Sequence, residues 1–136
     1  MSDGTAAGPL TGLADAVMAE LAPMLERVAA GGEAEAVDLR SLPMSDADRD
    51  ALAARLGTGE VDATLAVAGE SRVRETAYPG VWWVRHMGAD GRVASEHIHV
   101  TRVPDILCAH PQDMARAAGR LAEAALKGET EASEEA

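Results

Sequence analysis

Apolar residues recur at helical spacing from Leu10 through Leu13, Val17, Leu21, Met24 or Leu25 and Val28, which predicts a helix over residues 10–30. Thr11 or Asp15 offers its start, Pro23 should bend or split it, and Gly31-Gly32 ends it. Residues 35–39 read as a short strand, and Leu42-Pro43-Met44 as a loop. Ser45 with Asp48 three residues on has the form of a capping box, opening a helix that runs to about Leu56 and stops at Gly57. Then the period changes from helical to alternating. Val61, Ala63, Leu65 and Val67 make a half-buried strand, and Gly69-Glu70-Ser71 turns the chain. A strand over 72–78 leads into Tyr78-Pro79-Gly80, a type II turn with Pro and Gly at its centre. Strands over 81–87 and 92–102 flank Gly88-Ala89-Asp90-Gly91, where Asp-Gly supplies the positive φ of a hairpin. Pro104 closes the sheet region, and Pro111 opens a last helix with Met114, Ala118, Leu121 and Ala125 on its buried face. The order predicts an α+β fold: a mainly antiparallel sheet, made of a four-strand meander plus a short strand, covered on one face by about three helices.

Strand alternation sorts the central hairpin into two faces. One carries Val81, Trp83, Arg85, Met87, Ala94, Glu96, Ile98 and Val100, and its aliphatic bulk should meet the helices; Arg85 and Glu96 can then stand opposite each other. The other carries Trp82, Val84, His86, Val93, Ser95, His97 and His99 and should be the more exposed. Tyr78, Trp82 and Trp83 are all the aromatic residues the chain has, so the hairpin is either the main core plug or the main contact surface. Trp83 reads as core. Trp82 is the interface candidate, against the alternative of cover by a loop. His86, His97 and His99 on one face form a candidate site for nickel, iron or zinc; the competing reading is an ordinary solvated sheet face. Cys108 and His110 could add ligands, although a lone cysteine is more often buried.

Composition narrows the function classes. The net charge is −11, and without the four glutamates of the C-terminal tail it is still −7, so a nucleic-acid partner is not expected. The basic residues nevertheless gather in the sheet region, with Arg72, Arg74, Arg92 and Arg102 near the tryptophans. With Cys108 the single cysteine, the chain alone cannot form a disulfide or an all-thiolate cluster. No leader or long apolar run stands out, so a cytoplasmic protein without membrane contact is expected. Residues 1–9 and 128–136 read as disordered and acidic ends around a single domain, 10–127. There is no Gly-x-Ser-x-Gly elbow and no phosphate-binding glycine loop, so the residues point to binding rather than catalysis. An uncovered sheet edge could pair two copies as a homodimer.

Three segments together resemble one family. They are Val37-Asp38-Leu39-Arg40-Ser41-Leu42-Pro43 with its capped helix, Leu56-Gly57-Thr58-Gly59-Glu60-Val61, and Arg74-Glu75-Thr76-Ala77-Tyr78-Pro79-Gly80-Val81-Trp82-Trp83-Val84 continuing to Arg102-Val103-Pro104-Asp105-Ile106-Leu107. This set is similar to the C-terminal domain of hydrogenase expression/formation proteins of the HupH/HyaF type, and to its short, single-domain, HupJ-like members. The resemblance implies a non-enzymatic accessory factor or chaperone in [NiFe]-hydrogenase maturation, without a cofactor of its own. Its partner would be an immature hydrogenase subunit, with the iron–sulfur small subunit favoured, or another maturation factor. The implied contact residues are Arg74, Glu75, Tyr78, Trp82 and Arg102; nickel or iron handling through His86, His97 and His99 is the alternative.

Overall fold

A computed structural model of the protein describes residues 8–66 and 69–135. The chain divides into two compact units, Met1–Pro104 and Asp105–Ala136. The first holds α1 (Leu13–Ala29), β1 (Glu35–Asp38), a 3-10 turn (Leu39–Ser41), α2 (Asp46–Leu56), β2 (Asp62–Ala66), β3 (Glu70–Glu75), β4 (Val81–Met87) and β5 (Val93–Val100). The second holds a 3-10 turn (Asp105–Leu107) and α3 (Pro111–Glu135). The five strands form one antiparallel sheet in the order β1-β5-β4-β3-β2, so the meander is as predicted and the short first strand adds beside the last.

Local chemistry sets the element boundaries. Ser45 caps α2 in a full capping box, its side chain accepting from Asp48 N–H while Asp48 accepts from Ser45 N–H. Tyr78–Val81 is the expected type II turn, closed by Val81 N–H to Tyr78 O at 3.0 Å with Gly80 at φ 91°. A Cβ on Gly80 would also meet Leu25 Cδ1 at 3.2 Å, so this turn sits directly on α1. α1 runs unbroken through Pro23, so the proline does not split it. Its buried stripe of Ala14, Val17, Leu21 and Met24 holds the backbone on both sides of the missing N–H. Leu10 lies ahead of the helix and is exposed.

α1 and α2 cover one sheet face. Val17, Leu21 and Met24 pack with Leu52 and Leu56 against Val81, Trp83, Ile98 and Val100. Arg55 and Asp15 tie the two helices by an ion pair, and Thr11 binds the buried Asp48 through both its N–H and its hydroxyl. Arg85 stands opposite Glu96, as the alternation required. The hairpin loop departs from the expected parity, because a bulge beside Met87 brings Val93 opposite Met87 and so onto that residue's face.

α3 is a single helix from Pro111 to Glu135, continuing past residue 127, where the acidic composition suggested that order ends. Its expected buried face is exposed: Met114 by 58% and Leu121 by 71%. A unit made of one helix and one turn has no second layer of its own on which to bury an apolar stripe. The expected disorder of residues 1–9 falls mostly on residues outside those described.

Candidate functional site

The central strand β4 is buried at four successive positions, Val81, Trp82, Trp83 and Val84. Both faces of the sheet are therefore closed at that point. This corrects the expectation that Trp82 stands on an open face: it is 5% exposed, and its indole N–H donates to Thr101 O at 3.1 Å. The unbroken Val-Trp-Trp-Val run, where one-sided cover would give alternation, is the signal for it. Trp83 is the expected core residue. Its indole N–H donates at 2.8 Å to Glu96 Oε2, a carboxylate that is itself buried. Arg85 reaches the same oxygen with Nε at 3.0 Å and Nη2 at 2.9 Å. Arg49 of α2 brings its Nε within 3.2 Å of the other oxygen, an ion pair in which that buried nitrogen makes no hydrogen bond.

The histidines do not form a ligand set. The strand register places His86 beside Ser95, His97 beside Val84 and His99 beside Trp82. His86 Nδ1 is 2.6 Å from Ser71 Oγ, while His97 and His99 meet edge to face at 5.7 Å between ring centres. Among the described residues no group of three His, Cys, Asp or Glu side chains could hold a metal ion. Cys108 is exposed, contrary to the expectation of burial, and His110 Nδ1 accepts the Gln112 N–H at the start of α3.

The proposed contact residues are scattered. Arg74 lies half-buried on β3 with its guanidinium 5.8 Å from the centre of the Trp83 ring. Glu75 Oε1 accepts from Glu60 N–H, which fixes the chain as it enters β2. Arg102 is exposed after β5 and lines a shallow hollow with Val28, Gly31 and Ala34. Tyr78 is 45% exposed at the type II turn.

Tyr78 belongs to an arrangement with the form of a binding site, an open apolar groove of about 460 Å3. Met18, Leu21, Ala22, Leu25, Glu26 and Ala29 of α1 make one wall, with Leu56, Tyr78 and Val81 opposite. The turn is built to place Tyr78: buried Thr76 donates its hydroxyl to Val81 O at 2.9 Å and accepts Tyr78 N–H at 3.1 Å. A single apolar stripe on α1, as helical spacing was read, leaves no room for this groove. Met18, Ala22, Leu25 and Ala29 form a second one, parallel to the buried residues and at the same spacing. A helix that is apolar over so wide an arc has more surface to cover than its own sheet can cover.

The model of the HupH hydrogenase expression protein, C-terminal conserved region, matches residues 13–127. The hydrogenase expression/formation protein HoxQ of Azotobacter vinelandii is 39% identical over 88 residues, 65% of this chain and 31% of that protein. HupH of Rhodobacter capsulatus, named in the same way, is 32% identical over 125 residues, 90% of this chain and 42% of that one. The chain thus spans well under half the length of these relatives. A solved structure of the hydrogenase expression protein HupH from Thiobacillus denitrificans superposes with a TM-score of 0.83 at 37% identity, covering 88% of this chain and 99% of that one. With the match spanning the sheet, its two covering helices and most of α3, this chain belongs to the HupH C-terminal family.

Proposed function

We propose that the protein is a non-enzymatic accessory factor in [NiFe]-hydrogenase maturation, and that it holds an immature hydrogenase subunit, the iron–sulfur small subunit, by an apolar segment laid in the α1–Tyr78 groove. The kinship with hydrogenase expression/formation proteins supports the process. The observation that carries the mode of action is the groove itself, a lining apolar except for Glu26 and Tyr78's hydroxyl, with no nucleophile and base set against each other in it. Such a surface recognises shape and apolarity. A chaperone needs that selectivity for a client segment that becomes buried on assembly with its partner subunit.

The test is affinity capture from hydrogenase-producing cells with the wild type and with Ala22→Asp, which puts a carboxylate on the groove wall at an exposed helical position. The wild type should bring down the small subunit. The variant should bring down at least ten-fold less at an unchanged melting temperature. Equal capture by both would place the contact elsewhere, and capture of neither hydrogenase subunit by the wild type would remove the client reading.

A further inference from the structure

Four arginines meet around the Trp83–Glu96 pair: Arg49 from α2, Arg72 and Arg74 from β3, and Arg85 from β4. Arg72 and Arg85 are directly opposite each other across neighbouring strands, a like-charge pairing that opposes folding. Three of the four have a carboxylate in ion-pair contact. Asp62 takes Arg72 in a two-pronged bond at 3.0 and 2.7 Å, and Glu96 takes Arg85 and Arg49, with Asp46 also on Arg49. Arg74 has no such partner among the described residues. Its guanidinium lies 5.8 Å from the centre of the Trp83 ring and is partly withdrawn from water, with no hydrogen-bond acceptor for its fork of N–H donors among the described residues.

This is an unusual place for a spare cation. The protein carries a net charge of −11, and carboxylates are plentiful elsewhere on it. Burial first, and then the neighbouring Arg72 and Arg85, push the Arg74 guanidinium below its ordinary pKa, with Asp62 and Glu96 opposing the shift. Beside it lies a small pocket of about 30 Å3, lined by Thr58, Thr76 and Trp83 and with Glu75 on its wall. That is room for about one or two polar atoms. The edge of a planar carboxylate fits such a space, whereas a tetrahedral phosphate is too bulky for it. A guanidinium fork matches a carboxylate in geometry as well as in sign.

We propose that Arg74, flanked by Arg72 and Arg85, is a docking point for the side-chain carboxylate of an acidic polypeptide segment, separate from the apolar groove. The probe is a capped tetraglutamate peptide, titrated into protein labelled for arginine Nε–Hε NMR, with inorganic phosphate and sodium chloride as parallel titrations. The peptide should shift the Arg74 and Arg85 signals saturably, and Arg74→Gln should weaken it at least ten-fold while the remaining spectrum keeps the wild-type fold. Ala22→Asp should bind the peptide as the wild type does, so this result is independent of the groove and of the client proposed for it. Shifts that grow linearly and match those given by chloride would overturn the proposal. So would saturation by phosphate alone, or an affinity unchanged in Arg74→Gln.

Discussion

Two tryptophans one residue apart hold the two faces of the sheet by different means. On the helix-covered face, Trp83 donates to a buried carboxylate that two arginines also hold. On the opposite face, Trp82 donates to a backbone carbonyl, and farther along that face Ser71 bonds a histidine ring. The helix-covered face is thus fastened by charge. Its strength depends on every partner staying in place, because a buried ion left unmatched costs more than the pair contributes. The other face is fastened by neutral bonds, each small and nearly independent. The largest contrast to draw is therefore between removing a ring and removing only its polar edge.

Truncation should hurt both faces alike. Trp82→Ala and Trp83→Ala each remove a buried indole and should cost about 3–5 kcal/mol in urea unfolding. That result would bar Trp82 from being read as a free contact residue, since its variant would lose partner binding along with the fold. An unchanged unfolding midpoint in Trp82→Ala would mean that the second face does not depend on its tryptophan. Polar edits should then separate the faces. Glu96→Ala should cost about 3 kcal/mol, toward the low end for a broken buried pair, since Arg49 and Arg85 retain 25% and 39% side-chain exposure and can rehydrate. Combining it with Trp83→Phe should show a coupling of about 1 kcal/mol, and combining it with Trp82→Phe should show none.

How far these faces could be read in advance follows from the range of the interactions that make them. The capping box, the type II turn and the pairing of Arg85 with Glu96 depend on residues close in sequence or on strict alternation, and each stands where the pattern put it. Glu96 as the centre of a network was hidden, because Arg49 reaches it from a helix 47 positions earlier. Trp82 was misjudged by applying alternation to a strand whose apolar run is continuous. The groove went unseen for a related reason. One stripe on α1 was enough to explain a helix, and the second, on Met18, Ala22, Leu25 and Ala29, says something about what lies outside the fold. The bulge beside Met87 has no residue signature strong enough to move Val93 across the sheet on paper.

Acid should loosen the charged side first. Asp48 lies buried in the helix layer, and the hydroxyl and N–H of Thr11, then the cap bonds to Ser45, lower its pKa to about 2. The folded state therefore favours the ionised form. Its contribution is complete above the unfolded carboxylate value of about 3.9 and is lost as the pH falls from there through about 2. Thr11→Val should lower stability by a constant amount above pH 5, and the gap to the wild type should narrow between pH 4 and pH 2. Urea midpoints across that range measure it. A gap that stays constant down to pH 2 would show that Thr11 acts by packing rather than by holding the carboxylate charge.

The smallest effect belongs to the neutral side. Ser71 is 7% exposed and its hydroxyl lies 2.6 Å from His86 Nδ1. Ser71→Ala deletes the hydroxyl and leaves a half-buried ring that can turn its nitrogen toward water, so the cost should be about 1 kcal/mol. His86→Ala removes the ring and leaves the nearly buried hydroxyl without its acceptor or donor, which should cost somewhat more, about 2 kcal/mol. The order of the two is the informative part. If the serine variant is the worse, His86 depends on that bond for its place, and the face is held by its polar contacts as the helix side is. If the histidine variant is the worse, as expected, the stranded buried hydroxyl costs more than the lost bond alone, yet the cost stays that of one neutral group, well below that of the buried Glu96.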